Sequence, residues 1–246
     1  MRTILCILFI TIFLIFSLPV MLIEFIIGKF SKHHSDMVML GYVQFGFKVV
    51  LLLSGVKLIV EDEDNVPRDQ AVLYIGNHRG FFDIVATYSR CPNLTGYISK
   101  KSIEKVPLIS FLMKRVYCLL MDRTDIRQSM GVILKAIEYV KSGISICIFP
   151  EGTRIKTSSR TQTLPFKEGS FKIAQKSKCP IVPMAITGTE DVLENHFPWI
   201  KRAKVVVRYG KPFYISDLEK EQQKKVGVYT RAIIEDMLID IEKKHY

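Results

Sequence analysis

The chain has 246 residues, of which 48% are hydrophobic and 24% charged. That length and composition fit one α/β domain with a short additional segment, and they exclude an intrinsically disordered chain. The net charge is +11, from 35 Lys and Arg against 24 Asp and Glu. Such a balance favours polyanionic partners such as nucleic acid, anionic lipid or phosphorylated ligands, although a merely soluble basic surface gives the same total.

The cysteines are odd in number and scattered, and no Cys-x-x-Cys pair occurs among them. Most of them lie in apolar, strand-like segments, where a buried and reduced thiol is the usual state. This pattern predicts a reducing compartment and argues against a zinc site. The cysteines are Cys6, Cys91, Cys118, Cys147 and Cys179.

The chain begins with an apolar run that is long enough to cross a lipid bilayer. Ile4 to Ile23 contains twenty residues without a charge, which matches the thickness of a hydrocarbon core and predicts a retained membrane anchor. A secretory signal peptide is the alternative, but the run is too long and no Ala-x-Ala site follows it. Arg2 precedes the run, and Lys29 and Lys32 follow it. This flanking charge favours a main body on the cytoplasmic face of the cell membrane.

A second apolar stretch, Met37 to Val60, contains three glycines and is interrupted by Lys48. We interpret it as a helix that lies on or partly in the membrane interface and ends in a strand. A core helix of the following domain is an alternative of nearly equal weight. The sequence therefore predicts a membrane-associated helical segment at residues 1–60 and an α/β domain at residues 61–246.

In the predicted domain, apolar runs of strand length alternate with helical patterns. The clearest helix is Ile126 to Val140, with apolar residues at helical spacing, Asp125 or Thr124 as its cap and Gly143 at its end. Further helices are predicted after Pro165 and over residues 217–244. The alternation predicts a mixed, largely parallel sheet flanked by helices on both faces. The predicted strands begin at Ala71, Thr95, Val116, Ile144, Ile181 and Lys204.

Polar clusters follow three of these predicted strands. His78 follows "AVLYI", Asp122 and Arg123 follow "VYCLL", and Glu151 and Arg154 follow "ISICIF". Because ligands of open α/β sheets bind at the carboxyl ends of the strands, we expect the three clusters to meet at one rim.

The segment "IGNHRGFFDIV" carries a histidine and an aspartate separated by four residues. A turn through Gly80 brings Asp83 back toward His78, where the carboxylate fixes the tautomer of an imidazole that acts as a general base. A chance pairing is the alternative. No Gly-x-Ser-x-Gly motif is present, so the pair points to a substrate hydroxyl as the nucleophile.

The segment "FPEGTR" is a turn after a buried strand. Gly152 permits a close backbone approach, and the planar fork of Arg154 suits a phosphate. Glu151 is expected to accept a hydrogen bond from Arg154 or from a ligand hydroxyl. An ordinary turn with a surface ion pair is the alternative reading.

Three further basic residues follow strands and are candidates for contact with an anionic head group. Lys100 and Lys101 fit that role or a solvated run of charge, which is the commoner meaning of adjacent lysines. Arg123, beside Asp122, fits ligand contact and structural bracing of the rim equally.

Together these segments resemble the glycerolipid acyltransferase family, in particular the 1-acyl-sn-glycerol-3-phosphate acyltransferases. The first motif of that family, Asn-His-x4-Asp, appears as "NHRGFFD", and its Asp-Arg pair as "MDR". "FPEGTR" is present unchanged, and "IVPMAI" resembles the apolar fourth motif. Four motifs in the family's order are a specific signal over Ala71 to Gly188, about half of the chain.

The resemblance implies transfer of a fatty acyl group from acyl-CoA or acyl-carrier protein to the free hydroxyl of lysophosphatidic acid, giving phosphatidic acid. It implies His78 as the base and Asp83 as its orienting partner, an attachment to membrane lipid, and neither a metal nor an organic cofactor. The substrate-binding candidates are Lys100, Lys101, Arg123, Glu151, Gly152, Thr153 and Arg154.

Other functions fit parts of the same pattern. The acceptor is alternatively another lysophospholipid, or water, in which case the dyad serves a lipid or thioester hydrolase. A non-enzymatic binder of anionic lipid or nucleic acid ranks last. The basic residues are not interleaved with aromatic ones as nucleic-acid binding requires, and we therefore expect no nucleic-acid partner.

Overall fold

A computed structural model describes all residues, 1–246, and it opens with two antiparallel helices. Helix α1 spans Arg2–Gly28 and α2 spans Lys32–Ser54. A Cβ added at Gly46 of α2 would lie 2.6 Å from the ring of Phe13, so the glycine lets the two helices approach closely. Both helices are long and apolar enough to cross a membrane, and the outer side of α1 exposes a series of large apolar side chains. These features indicate membrane association.

The second apolar stretch was interpreted as an interfacial helix or as a core helix, and each interpretation matches one side of α2. Met39 and Leu40 are buried in the core, whereas Phe45 and Leu52 are exposed. Within the most apolar 18-residue segment of each helix, 33% of α2 is buried but only 11% of α1. Helix α2 therefore lies between α1 and the rest of the chain.

The remainder of the chain forms one seven-stranded sheet with the order β1-β7-β6-β2-β5-β3-β4. Every neighbouring pair is parallel except β6 and β7, which are antiparallel. The prediction of a mixed, largely parallel sheet flanked by helices is confirmed. The strands are β1 Lys57–Glu61, β2 Leu73–Gly76, β3 Thr95–Lys100, β4 Leu119–Met121, β5 Ser145–Ile148, β6 Ile181–Thr187 and β7 Lys204–Tyr209.

Strand β1 is the strand expected at the end of the second apolar stretch. It pairs with β7 over five positions, beginning with Lys57 opposite Lys204. The sheet thus begins at residue 57, a few residues before the division predicted at residue 60, which stays a prediction.

Helices cover both faces of the sheet. They are α3 Phe82–Tyr88, α4 Pro107–Arg115, α5 Ile126–Lys141, α6 Lys172–Ser177, α7 Lys220–Lys224 and α8 Val226–His245. One apolar core lies between the sheet and α2 and α3, and a second lies between the sheet and α5, α6 and α8.

Two helix predictions need correction. The segment after Pro165 becomes α-helical only at Lys172, after a 3-10 turn at Glu168–Phe171. The predicted tail helix is broken at Lys225, and its second part, α8, buries Ile234, Leu238 and Ile241 on the side that packs against the sheet.

The helical hairpin is attached to the sheet domain by a buried carboxylate. Glu24 of α1 is 4% exposed and accepts hydrogen bonds from Ser35 of α2 and from Arg115 of α4, whose Nε lies 3.2 Å from Oε2. A charge this deeply buried requires partners. The contact therefore fixes one end of the hairpin against the domain that carries the candidate site.

All five cysteines are buried, as predicted, and none of them forms a disulfide. No group of three or more His, Cys, Asp or Glu side chains is arranged to hold a metal ion.

Candidate active site

The carboxyl ends of β2, β5 and β6 lie side by side, and the segments that follow these strands meet at one rim. The backbone N–H of His78, after β2, donates to Glu151 Oε1, after β5, over 2.6 Å. Asn77 joins β2 to β6 through two hydrogen bonds with the backbone of Ile186, each 2.8 Å long. The polar clusters expected at one rim are therefore held together by direct contacts.

His78 and Asp83 form a close pair at this rim. His78 Nδ1 lies 2.7 Å from Asp83 Oδ2, and the same oxygen accepts the backbone N–H groups of Arg79 at 2.7 Å and Gly80 at 2.9 Å. Asp83 is fully buried and belongs to the first turn of α3. A carboxylate in this position holds the proton on Nδ1, so that Nε2 carries the lone pair needed by a base.

The imidazole is also held from its face. The ring of Phe149 stacks on the ring of His78, with 4.5 Å between centroids and 12° between planes. Only 12% of the His78 side chain is exposed. The aromatic contact restricts rotation of the imidazole, and it explains why an apolar residue opens the "FPEGTR" segment.

No hydrogen bond joins Glu151 to Arg154, so the first of the two partners expected for this carboxyl group is not found. Its Oε2 accepts from the backbone N–H of Leu164 over 2.8 Å, while Oε1 accepts from His78. The side chain is buried, and this burial raises the pKa of Glu151. Both partners of this carboxyl group are backbone N–H groups, and Glu151 thereby fixes the position of the His78 backbone.

Arg154 instead pairs with a residue that the sequence did not single out. Its Nη1 donates to Glu194 Oε1 over 2.9 Å, and its side chain is 48% exposed. Gly152 has a φ of +76°, a left-handed conformation that glycine adopts without strain. Thr153 is exposed next to Arg154. The loop thus presents a cation close to the His78–Asp83 pair.

The other basic candidates lie further along the rim. Arg123 donates through Nη1 to the backbone carbonyl of Gly152, which links the β4 and β5 loops and matches the bracing role that the sequence left open. Lys101 lies 3.8 Å from Asp122, and Lys100 is exposed at the end of β3. The two lysines remain available to an anionic ligand.

A groove of about 440 Å³ opens beside the same loops. Its apolar wall is formed largely by α5, including Met130 and Ile133, and it extends to Phe149. The charged residues that line it, namely Arg123, Lys167, Lys172 and Lys176, are all basic. Such a combination suits an amphiphile with a negative head group.

Residues missed by the sequence analysis complete the site. Arg79 is buried and donates from Nε to Glu190 over 2.6 Å and from Nη2 to the carbonyl of Ser159 over 2.7 Å. Thr189 donates its hydroxyl to Asp83 Oδ1. Both Thr189 and Glu190 follow β6, so the rule that site residues follow strand ends would have indicated them.

These features define the class of the protein. It is an α/β protein in which a buried carboxylate contacts a histidine at the carboxyl edge of a mostly parallel sheet, next to a basic rim and a hairpin of two apolar helices. The family model described as Acyltransferase matches residues 57–187. The chain belongs to the acyltransferase family.

Similar proteins agree with that assignment. The chain is 30% identical over 199 residues to the 1-acyl-sn-glycerol-3-phosphate acyltransferase of Saccharomyces cerevisiae, covering 80% of the chain and 64% of that protein. It is 29% identical to the Escherichia coli protein of the same name, covering 70% of the chain and 69% of that protein. The yeast match thus spans less than two thirds of the relative's length.

A solved structure supports the fold over nearly the whole chain. The crystal structure of the 1-acyl-sn-glycerophosphate acyltransferase from Thermotoga maritima superposes with a TM-score of 0.82 and 20% sequence identity. The match covers 98% of this chain and 95% of that one. It therefore includes the helical hairpin as well as the sheet domain.

Proposed function

We propose that the protein transfers a fatty acyl group from a thioester, acyl-CoA or acyl-carrier protein, to the free hydroxyl of lysophosphatidic acid, giving phosphatidic acid. The observation that carries the proposal is the 2.7 Å contact between His78 Nδ1 and the buried Asp83, beside an arginine that suits a phosphate. The names of the similar proteins from yeast and Escherichia coli support lysophosphatidic acid as the acceptor.

His78 acts as the general base in this reaction. Nε2 takes the proton of the acceptor hydroxyl as the oxygen attacks the thioester carbonyl carbon, and Asp83 stabilises the imidazolium that forms. The tetrahedral intermediate then collapses, the carbon–sulfur bond breaks, and the departing sulfur takes the proton from His78. The products are an oxygen ester and a free thiol, and the protein is never acylated.

The acceptor phosphate is bound by Arg154, with Lys100 and Lys101 contributing positive charge at the same rim. Arg154 is half exposed and uses one nitrogen for Glu194, which leaves the other donors of its planar fork for phosphate oxygens. Gly152 and Thr153 shape the loop. Arg123 and Glu151 contribute by bracing it, through the Gly152 carbonyl and the His78 amide.

Helices α1 and α2 hold the catalytic domain on the cytoplasmic face of the cell membrane. Their exposed apolar side chains suit lipid. The acceptor then reaches His78 without leaving the bilayer surface, while the thioester donor arrives from the aqueous phase.

Product analysis of the purified protein tests this proposal. The protein is supplied with acyl-CoA or acyl-carrier protein, with and without lysophosphatidic acid, and products are identified by mass spectrometry. Formation of phosphatidic acid together with free thiol supports the transferase. Release of free fatty acid without an acceptor would instead establish a hydrolase. Efficient acylation of other lysophospholipids with no use of lysophosphatidic acid would overturn the assigned acceptor.

A further inference from the structure

Glu194 links the dyad turn to the loop that carries Arg154. It lies on a short turn, Glu194–His196, after β6. Its Oε1 accepts the backbone N–H of Phe81 over 2.7 Å and Nη1 of Arg154 over 2.9 Å. The side chain is 21% exposed, and its Oε2 is buried without a hydrogen-bond partner. One carboxyl group therefore connects three segments that are distant in the chain.

The turn between His78 and Asp83 is shaped to admit this carboxyl group. A Cβ at Gly80 would lie 2.5 Å from Glu194 Oε2, which is closer than two such atoms approach. The φ of Gly80 is not in the left-handed region, so a larger residue is excluded only by the Glu194 side chain, which would have to move away from the turn. The carboxyl group of Glu194 thus packs directly on the dyad turn.

The contact restricts a side chain that would otherwise be mobile. Arg154 is 48% exposed, and its only hydrogen bond to another side chain is the one to Glu194. A long and exposed arginine samples many rotamers, and a fixed partner reduces the entropy that is lost when it binds a ligand. Because the bond occupies Nη1, other N–H groups of the guanidinium stay available.

We propose that Glu194 is a positioning residue that holds the Arg154 guanidinium beside the His78–Asp83 dyad, oriented for the phosphate of the acceptor. This inference rests on the proposed acylation of lysophosphatidic acid. Glu194 does not touch the reacting atoms, and its effect on the reaction is exerted through Arg154. It therefore selects for acceptors that carry a phosphate.

Steady-state kinetics with two acceptors test this role. Lysophosphatidic acid and a monoacylglycerol with the same chain are compared in mixed micelles, for wild type, Glu194→Ala, Glu194→Gln, Arg154→Ala and the Arg154→Ala/Glu194→Ala double variant. Glu194→Ala is expected to raise KM for lysophosphatidic acid about tenfold, with a smaller effect on kcat. Glu194→Gln keeps an oxygen acceptor and retains most of the affinity. For monoacylglycerol, both variants are expected to lower kcat/KM by much less than for lysophosphatidic acid, because only the contact to Phe81 in the dyad turn is then lost.

The double variant separates positioning from general support of the fold. In the Arg154→Ala background, loss of Glu194 is expected to raise KM by less than about twofold, because residues that act as a unit are not additive. Glu138→Ala, on the outer face of α5, removes an exposed carboxylate and serves as a control. If Glu194→Ala does not fold, Glu194→Asp carries the test, because its shorter side chain does not reach both Phe81 and Arg154 and is expected to raise the same KM.

The outcomes distinguish this inference from the function on which it rests. Equal losses on both acceptors, or losses that add to those of Arg154→Ala, overturn the positioning role while wild-type acylation of lysophosphatidic acid leaves the function standing. A wild-type protein that does not acylate lysophosphatidic acid overturns both.

Discussion

The hydroxyl of Thr189 donates a hydrogen bond to Oδ1 of Asp83, although the two residues are 106 positions apart in the chain. The other carboxylate oxygen accepts from His78 Nδ1 and from the backbone N–H groups of Arg79 and Gly80. Both oxygens of Asp83 are therefore occupied before any substrate arrives. The orientation of His78 depends on the loop after β6 as well as on its own turn.

Replacing Thr189 with valine removes this hydrogen bond and nearly preserves the volume of the side chain. A hydrogen bond to a buried charge contributes about 1.5 kcal/mol or more, so kcat is expected to fall about tenfold or more. KM for the acceptor is expected to stay within about twofold, because Thr189 contacts the dyad and not the basic rim. Thr189→Ser retains the hydroxyl and is the matched control. Full kcat in Thr189→Val would show that the contact does not support the dyad.

Asp83→Asn tests the orienting carboxylate directly. By analogy with the aspartate of catalytic triads, kcat is expected to fall by about three to four orders of magnitude, because an amide does not stabilise the imidazolium. Asp240→Asn is the control: it changes a carboxylate on α8 that is 67% exposed, and kcat is expected to stay unchanged. Wild-type turnover in Asp83→Asn, measured by thiol release, would remove the carboxylate from the mechanism.

Gly80→Ala tests the close approach of Glu194 to the dyad turn. The added Cβ would lie 2.5 Å from Glu194 Oε2, so this flexible carboxyl group must move away from the turn, at a cost in stability of about 1 kcal/mol, the low end for overpacking. Both the thermal midpoint and the affinity for lysophosphatidic acid are expected to fall. In the Glu194→Ala background the same substitution is expected to cost much less stability. Equal costs in both backgrounds would show that the side chain of Glu194 is not the obstacle.

The charge cluster around Glu61 predicts a dependence of stability on pH. Burial alone would raise the pKa of Glu61, but hydrogen bonds from Lys244, His245 and Arg208 outweigh it and lower the pKa from 4.5 to about 2. A carboxyl group with a lowered folded-state pKa contributes stability above its unfolded pKa and loses that contribution as the pH falls through the folded value. At pH 7 the contribution is on the order of 2–3 kcal/mol.

Glu61→Gln is therefore expected to lower the free energy of unfolding at pH 7 by on the order of 2–3 kcal/mol. Urea unfolding in detergent, repeated from pH 7 down to pH 3, measures this difference. The gap between the variant and the wild type is expected to narrow below about pH 4.5. A gap that stays constant or widens on acidification would contradict the assigned pKa shift.

The helical hairpin is expected to keep the protein in membranes after washing with high salt and with alkaline carbonate. The basic surface alone would release the protein in salt, since electrostatic attachment is screened, whereas buried apolar area is not. Immunoblots of pellet and supernatant measure the fraction of the protein that stays with the membranes. Quantitative release by salt would show that the exposed apolar side chains of α1 are not in lipid.

Local patterns were sufficient to predict most of the fold. Six apolar runs correspond to strands β2 to β7, and Asp125 caps α5 as expected, accepting from Gln128 N over 3.0 Å. Buried parallel strands form continuous apolar runs, which makes them visible in the sequence. The strand order and the antiparallel direction of β6 relative to β7 depend on pairings between distant segments. Local sequence patterns do not predict which distant strands pair.

The candidate site was likewise predictable only where its residues lie close together in the chain. The His78–Asp83 pair was predictable because its residues are only five positions apart and share one turn. The contacts of Thr189 and Glu194 join segments more than 100 residues apart. Glu151 was assigned to a ligand hydroxyl or to Arg154, and its hydrogen bonds to the backbone amides of His78 and Leu164 were not predicted. Motif residues are therefore found more readily from sequence than the residues that hold them in place.

The central claim is that His78 removes the proton from the acceptor hydroxyl. The most direct test is the rate of phosphatidic acid formation by purified His78→Ala, with thiol release followed in parallel and with His33→Ala, an exposed histidine of α2, as the control. The rate of acyl transfer by His78→Ala is expected to fall by about two to four orders of magnitude. Its thermal midpoint is expected to stay unchanged, and the His33→Ala control is expected to keep wild-type activity. Wild-type transfer by folded His78→Ala would contradict the mechanism.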